Sequence, residues 1–326
     1  MSVVHVLGAS GFAGAQLTAL IDRHPYFTLG QTTGRSDAGQ SLASVAPEYR
    51  VDRLLKPYDP DGTAEGDFAC ICYPHAESVD VVADLALRGV RVVDLGADYR
   101  LRDWSLYPKW YGFDHGHTAL LEEAVYGLPE AYRDDIRSAR IVANPGCYPT
   151  AAIIALLPLK GRLASVVIDA KSGVSGAGKS PSAAVHYSTV TDSVQPYKVL
   201  THRHTPEIGQ ELGLPVIFTP HLVPADRGEL ASCYATLSGE PPHADDLRQT
   251  YNDFYASHPF VEVVVEPPGF RAVQRTNYAQ VCPMIDRASG TVVSFCAIDN
   301  LLKGASGQAV QNLNLMAGRP ETEGLL

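Results

Sequence analysis

The sequence has little that would suit it to a polyanion, a membrane or an oxidising compartment. Positive charge is in the minority: 26 Lys and Arg stand against 36 Asp and Glu, a formal charge of -10 at pH 7. No basic face is therefore expected, and no nucleic acid partner. Long apolar runs are missing as well. The longest, "AAIIALLPL", is cut at Pro158, well short of the ~20 residues a membrane-spanning helix needs. The first strand-like run, "VVHVLGAS", follows no charged leader pattern, so a cytoplasmic protein with no membrane partner is expected. Cysteine is sparse too, with 6 in 326 residues, too few and too scattered for a disulfide framework. Cys70 and Cys72 in "DFACICYP" are one residue apart, which puts both on one face of a strand as packing residues rather than a redox or zinc pair. Cys233, Cys282 and Cys296 fall in "ASCYATL", "AQVCPM" and "VSFCAI" and read the same way. No metal site is expected.

What is present is an alternation of apolar strand patterns with helical ones. The runs are "VVHVLGAS", "AGAQLTALIDRH", "FTLGQTTG", "DFACICYP", "SVDVVADLALRG", "RVVDLGAD" and "ARIVAN", which predict βαβ units and a parallel sheet. The chain is long enough for a second domain. Between the first strand and helix lies "GASGFAG". Its Gly8, Gly11 and Gly14 let backbone N–H groups approach a pyrophosphate at a helix N-terminus, so this half is expected to bind a dinucleotide. A carboxylate after the second strand would hold the ribose 2′-OH of NAD. Here Arg35 and Ser36 come first and Asp37 only afterwards, which favours NADP(H).

Residues 173–180, "GVSGAGKS", match a phosphate-binding G-x-x-x-x-G-K-[ST] pattern, yet Pro181 follows at once and has no N–H to donate. A glycine-rich loop beside a cofactor or substrate is the better reading. Cys147 in "NPGCYPT" differs from the other cysteines: it precedes a helix opened by Pro149, where a thiolate is favoured. "THRHTPEIGQEL" supplies His202 and His204 as candidate bases, before a helix that Thr205 can cap and Pro206 can open. The spacing does not choose between the two rings. Thiol, nicotinamide and base together describe hydride transfer through a thiohemiacetal or thioester. Arg100, at the end of the strand "RVVDLGADYRL", is a candidate for the phosphate of an acyl phosphate, with an ion pair to Asp98 or Asp103 as the alternative.

The motifs "GASGFAG", "NPGCYPT", "SGVSGAGKSP", "HRHTPEI", "FTPHLVPADRGEL" and "DNLLKGASGQAVQN" resemble those of the N-acetyl-gamma-glutamyl-phosphate reductase family, over nearly the whole chain. The resemblance implies an α/β Rossmann-type NADP-binding domain, 1–146 with 301–326, whose last helix returns to it. It implies a second α+β domain, 147–300, for substrate and subunit contacts, and a homo-oligomer, dimer or tetramer. Carried over, Cys147 is the nucleophile and one of His202 and His204 the acid/base. Ser10, Gly34, Pro74, Gly176 and Asn300 join Gly8, Gly11, Gly14, Arg35 and Ser36 at the cofactor. Tyr148, Ser175 and Glu207 join Arg100 at the substrate, a small-molecule acyl phosphate. A sister group of lysine-pathway reductases, acting on an aminoadipyl phosphate held on a carrier protein, shares these motifs, and an NADPH-binding thiol redox sensor is the non-catalytic alternative.

Overall fold

The computed structural model describes residues 2–326, and the chain divides into two compact units. One holds the chain up to Pro145 together with Ala305–Leu326, the other Gly146–Gly304.

In the first unit, β1 (Ser2–Leu7), β2 (Phe27–Thr33), β3 (Phe68–Ile71), β4 (Arg91–Asp94), β5 (Val125–Tyr126) and β6 (Ile141–Ala143) form a sheet ordered β2-β1-β3-β4-β6-β5. Every pairing is parallel. The chain leaves β1 in both directions, to β2 on one side and β3 on the other, and the crevice so made is where open α/β sheets bind ligands. Helix Val79–Leu87 buries Val79, Val82, Ala83 and Ala86, the i, i+3, i+4, i+7 stripe of a core-facing helix. Against that side pack Leu7, Ile71, Val92, Tyr107 and Tyr111. The loop entering the helix is pinned by Asp98, whose carboxylate accepts from the Ala76 and Ser78 amides at 2.8 and 3.2 Å and from Ser78 Oγ at 2.6 Å.

Helix Gly307–Met316, in the segment that returns to this unit, is buried on every side despite Gln308, Gln311, Asn312 and Asn314. Each amide donates to a partner. Gln308 and Asn312 both reach the Gly127 carbonyl at 2.9 Å, Asn312 also reaches Asn144 Oδ1 at 3.0 Å, Asn314 holds the Glu323 carbonyl at 2.9 Å, and Gln311 holds Glu321 Oε2 at 2.8 Å. Buried polar groups tolerate such a place only when bonded in this way.

The second unit is a mixed seven-stranded sheet ordered β11-β12-β13-β10-β7-β9-β8. Its strands are β7 (Leu163–Gly173), β8 (Gln195–Pro196), β9 (Ile217–Val223), β10 (Glu229–Leu237), β11 (Val261–Val263), β12 (Ala279–Asp286) and β13 (Thr291–Ile298). One face is covered by helix Cys147–Leu156, which packs on β10, β13 and β12 and is buried throughout from Tyr148 onward. The carbonyls near its C-terminus, which no later turn can satisfy, accept from Tyr251 and Tyr255 hydroxyls at 2.7 and 2.6 Å. On the other face, directly paired residues line up Ile217, Val167, Tyr234, Val293 and Met284 across β9, β7, β10, β13 and β12. Four of these five are exposed large apolar side chains and Val293 is half-exposed.

Among the described residues no helix is long and apolar enough to cross a membrane, and no group of His, Cys, Asp and Glu is placed to hold a metal.

Candidate active site

Chemistry-bearing residues gather at one end of each unit. In the first, Gly8 leaves β1 at φ +89, a conformation that disfavours a side chain. A Cβ there would sit 2.8 Å from the Cys72 carbonyl, and one at Gly14 would sit 2.1 Å from the Gly8 carbonyl. The glycines therefore let the loop, the next strand and the helix close on one another. Helix Phe12–Asp22 starts at Gly11 with neither a capping side chain nor an acidic residue in its first turn. Those first-turn amides suit a pyrophosphate. The Gly8 amide itself donates to Thr33 Oγ1 at 3.1 Å and the Ala9 amide to the Thr33 carbonyl at 2.7 Å, which draws the end of β2 to the same loop.

Gly34, buried, and then the exposed Arg35 and Ser36 follow β2 directly. The Arg35 guanidinium pairs with Glu77 and lies over the Tyr73 ring. Pro74 follows β3 on the adjoining edge. Arg100 lies beyond β4 and is buried, its Nε donating to the Asn144 carbonyl at 2.8 Å and its Nη2 to the Leu95 carbonyl at 2.9 Å. The uncapped first-turn amides and close-approach glycines of this edge are of the kind that can receive a dinucleotide's phosphates.

In the second unit, the helix expected to follow the "NPGCYPT" motif begins on the cysteine itself: Gly146 caps it and Cys147 is its first residue. Glu207, fully buried, accepts from the Gly146 amide at 2.9 Å and so fixes the backbone that presents the sulfur. Cys147 is half-buried, and the other five cysteines are free thiols. Four of those five are buried; Cys72 is half-buried and lies one residue past the end of β3, its amide still bonded to the Leu7 carbonyl at 2.7 Å.

The expected Thr205 cap is not what forms. Helix His204–Leu212 starts earlier, after Arg203, and takes His204 as its first residue. The two histidines are brought together by this turn rather than by strand alternation, with ring centroids 4.7 Å apart. Their settings differ. His202 is buried among Tyr148, Tyr197 and Phe218, its Nδ1 accepts from the His204 amide at 3.1 Å, and burial, with Arg203 and Lys198 nearby, pulls it down to about 3. His204 is only half-buried, and its ring meets the Tyr148 edge at 6.0 Å.

Tyr148 donates to the His221 carbonyl at 3.1 Å and accepts from Tyr197 at 3.3 Å. The sequence reading missed Tyr197, since nothing in "SVQPYKVL" marks it.

A second missed residue is Glu229, the first of β10. It is completely buried, and neither carboxyl oxygen has a hydrogen-bond partner of ordinary geometry. Burial pushes this carboxyl up to about 8, and the one interaction that opposes the rise is with the Cys147 thiol. Its signal was present in "ELASCYATL". Glu229 is in register with Ala231, Cys233 and Ala235, all on a buried face.

The glycine-rich stretch is not a phosphate-binding P-loop, because β7 runs into a 3-10 turn, Val174–Ala177, and no helix begins at Lys179 and Ser180. Ser175 instead donates to the Asp226 carbonyl at 2.6 Å and accepts from Asn300 Nδ2 at 2.9 Å. Asn300 Oδ1 accepts from the Gly228 amide at 2.8 Å, so these side chains staple two turns together. At Gly176 a Cβ would lie 2.7 Å from Ser172 Oγ.

Residues 3–139 match the family described as semialdehyde dehydrogenase, NAD binding domain, and residues 147–300 the semialdehyde dehydrogenase, dimerisation domain. Among curated relatives, a protein of Dehalococcoides mccartyi is 44% identical over 330 residues, covering 98% of this chain and 96% of its own. One of Desulforudis audaxviator is 45% identical over 343 residues, covering 100% and 98%. Both are named N-acetyl-gamma-glutamyl-phosphate reductase. The fold is also that of a Candida albicans aspartate semialdehyde dehydrogenase solved with NADP, at a TM-score of 0.75 and 16% identity over 97% of this chain and 98% of that one.

Proposed function

Because the chain belongs to the N-acetyl-gamma-glutamyl-phosphate reductase family, we propose that it reduces N-acetyl-gamma-glutamyl phosphate to the semialdehyde and inorganic phosphate through a thioester on Cys147, a step of arginine biosynthesis. The observation that carries this reading is the setting of Cys147, first in a buried helix whose N-cap amide is held by Glu207, and followed by Tyr148, on whose ring His202 and His204 pack. Sulfur attacks the acyl carbon, the C–S bond forms and the C–O bond to phosphate breaks. A bound NADPH would supply the hydride that reduces the thioester.

His202, held neutral with its Nδ1 occupied, serves to orient the His204 turn, and His204 is the residue assigned to move protons at the carbonyl oxygen. Arg100 is assigned the phosphate: its guanidinium stands at the carboxyl edge of the first sheet, already oriented by two carbonyls. Arg35 favours NADPH over NADH by offering its charge to the 2′-phosphate in exchange for Glu77. The apolar row on the open face of the second sheet supports a homo-oligomer, since exposed contiguous apolar surface marks an interface. The names of the curated relatives lend no weight to the carrier-bound aminoadipyl substrate or to a redox sensor.

The test is a steady-state comparison of the reverse reaction, with phosphate and NADP⁺ or NAD⁺, on N-acetylglutamate semialdehyde and on its one-methylene-longer homologue. The shorter substrate with NADP⁺ should have the higher kcat/KM, by roughly 10- to 200-fold over the longer one, the range one methylene allows. Preference for the longer substrate, or no turnover of either, would overturn the proposal.

A further inference from the structure

Glu229 is a buried acid for which the reaction just proposed has no use. Its carboxyl is completely buried at the start of β10, where the chain register sets it against Ser172 on β7 and Ile298 on β13. Ser172 Oγ already donates to the Gly173 carbonyl at 3.0 Å. The neighbouring cation, Arg227, is paired with Asp299 at 3.2 Å. From the covering helix the facing groups are Cys147 and Tyr148, and from the segment after β8 Tyr197. Burial holds both phenols far above their usual range, so they keep their protons at neutral pH. Glu207, another buried acid of this unit, accepts from Gly146. The thiol is thus the partner with which Glu229 can exchange a proton.

A carboxyl buried without bonds of its own costs stability, by a few kcal/mol on general grounds. Here burial lifts its proton affinity to about 8, which makes its ionised form a stronger base toward the thiol beside it than an ordinary carboxylate.

We propose that Glu229 is a further catalytic residue, a base that takes the proton of the Cys147 thiol and keeps it while the sulfur is acylated. The S–H bond breaks as the carboxylate gains O–H, and the freed electron pair on sulfur forms the C–S bond as phosphate departs. After hydride has reduced the acyl carbon, the C–S bond breaks with its electrons returning to sulfur, and the proton goes back from Glu229. The proton on Glu229 only cycles with the sulfur; the one that turns the departing phosphate into hydrogen phosphate comes from water.

This inference rests on Cys147 as the nucleophile, and its deciding test, alkylation of the thiol, needs neither turnover nor cofactor. Alkylation of Cys147 by iodoacetamide, followed by peptide mass spectrometry across pH 5 to 10, reads the thiolate. In the wild type the rate should rise in two steps, one as the pair loses its first proton and one as it loses the second against the repulsion of two like charges. In Glu229→Gln, which keeps the shape but cannot accept a proton, one step should remain. kcat should fall about 100-fold, the low end for loss of an acid or base, with NADPH affinity unchanged. One identical step in both proteins would overturn the proposal.

Should the Gln variant not fold, infrared difference spectra of the wild type, before and after alkylation, read the same carboxyl. A protonated-carboxyl band that titrates near pH 8 and shifts on alkylation supports the assignment. A band untouched by alkylation refutes it. Asp94, whose burial also raises it, to about 7, is told apart by repeating the difference in Asp94→Asn.

Discussion

His202 and His204 stand two positions apart with rings 4.7 Å apart, yet their surroundings give them different chemistry. Burial disfavours the charged imidazolium, and the pull on His202 to about 3 means it is neutral throughout the range in which an enzyme works. Its loss therefore cannot delete a limb of the pH profile near neutrality. His204→Asn should lower kcat by 100-fold or more and flatten one limb, whereas His202→Asn should cost less and leave the shape of the profile intact. Profiles of kcat against pH for the two variants check this, and the reverse pattern would move the proton role to His202. The sequence could not choose between the rings, because it could not reveal that a helix starts at His204 and turns the second ring away from strand alternation. Glu229 was legible in principle, as an acid in phase with Ala231 and Cys233. Its apposition to the thiol depends on a helix and a strand more than seventy residues apart in the chain.

At the scale of elements, period and punctuation carried far. The strand β1, the glycine turn and helix Phe12–Asp22 fall where the pattern put them, since each is determined by residues within a few positions. Element ends were less legible. The helix at Cys147 begins on the cysteine because Gly146 is held in extended geometry by a distant Glu207, a tertiary bond that local sequence does not encode. The "GVSGAGKS" stretch had the letters of a phosphate loop without the helix that gives such a loop its amides. The authentic glycine turn makes a sharper prediction. In Gly14→Ala the added carbon would fall 2.1 Å from the Gly8 carbonyl, a backbone atom that no rotamer change can move aside. The turn must open, so affinity for NADPH and NADH should fall together by at least roughly 100-fold, as a misplaced anion site implies. Fluorescence titration with each cofactor measures it, and circular dichroism should show the helices retained. Unchanged affinity for both would remove the dinucleotide from this turn.

For the whole molecule, the alternation of strand and helix made the parallel sheet legible, whereas the mixed sheet of the second unit came only through resemblance. Several of its strands are joined across long sequence separations, β7 beside both β9 and β10 and β10 beside β13, and such pairings leave no local period beyond alternation. Under the proposed function the first unit holds the dinucleotide and the second supplies the thiol, and that proposal stands on the covalent bond made at the thiol. Intact-protein mass spectrometry, after rapid mixing of enzyme with N-acetyl-gamma-glutamyl phosphate in the absence of reductant, tests it most directly. One N-acetylglutamyl group should appear on the wild-type chain, map to Cys147 after digestion and vanish when NADPH is added; Cys147→Ser should carry none. An adduct on another residue, or a wild type that turns over without ever carrying one, would contradict the account.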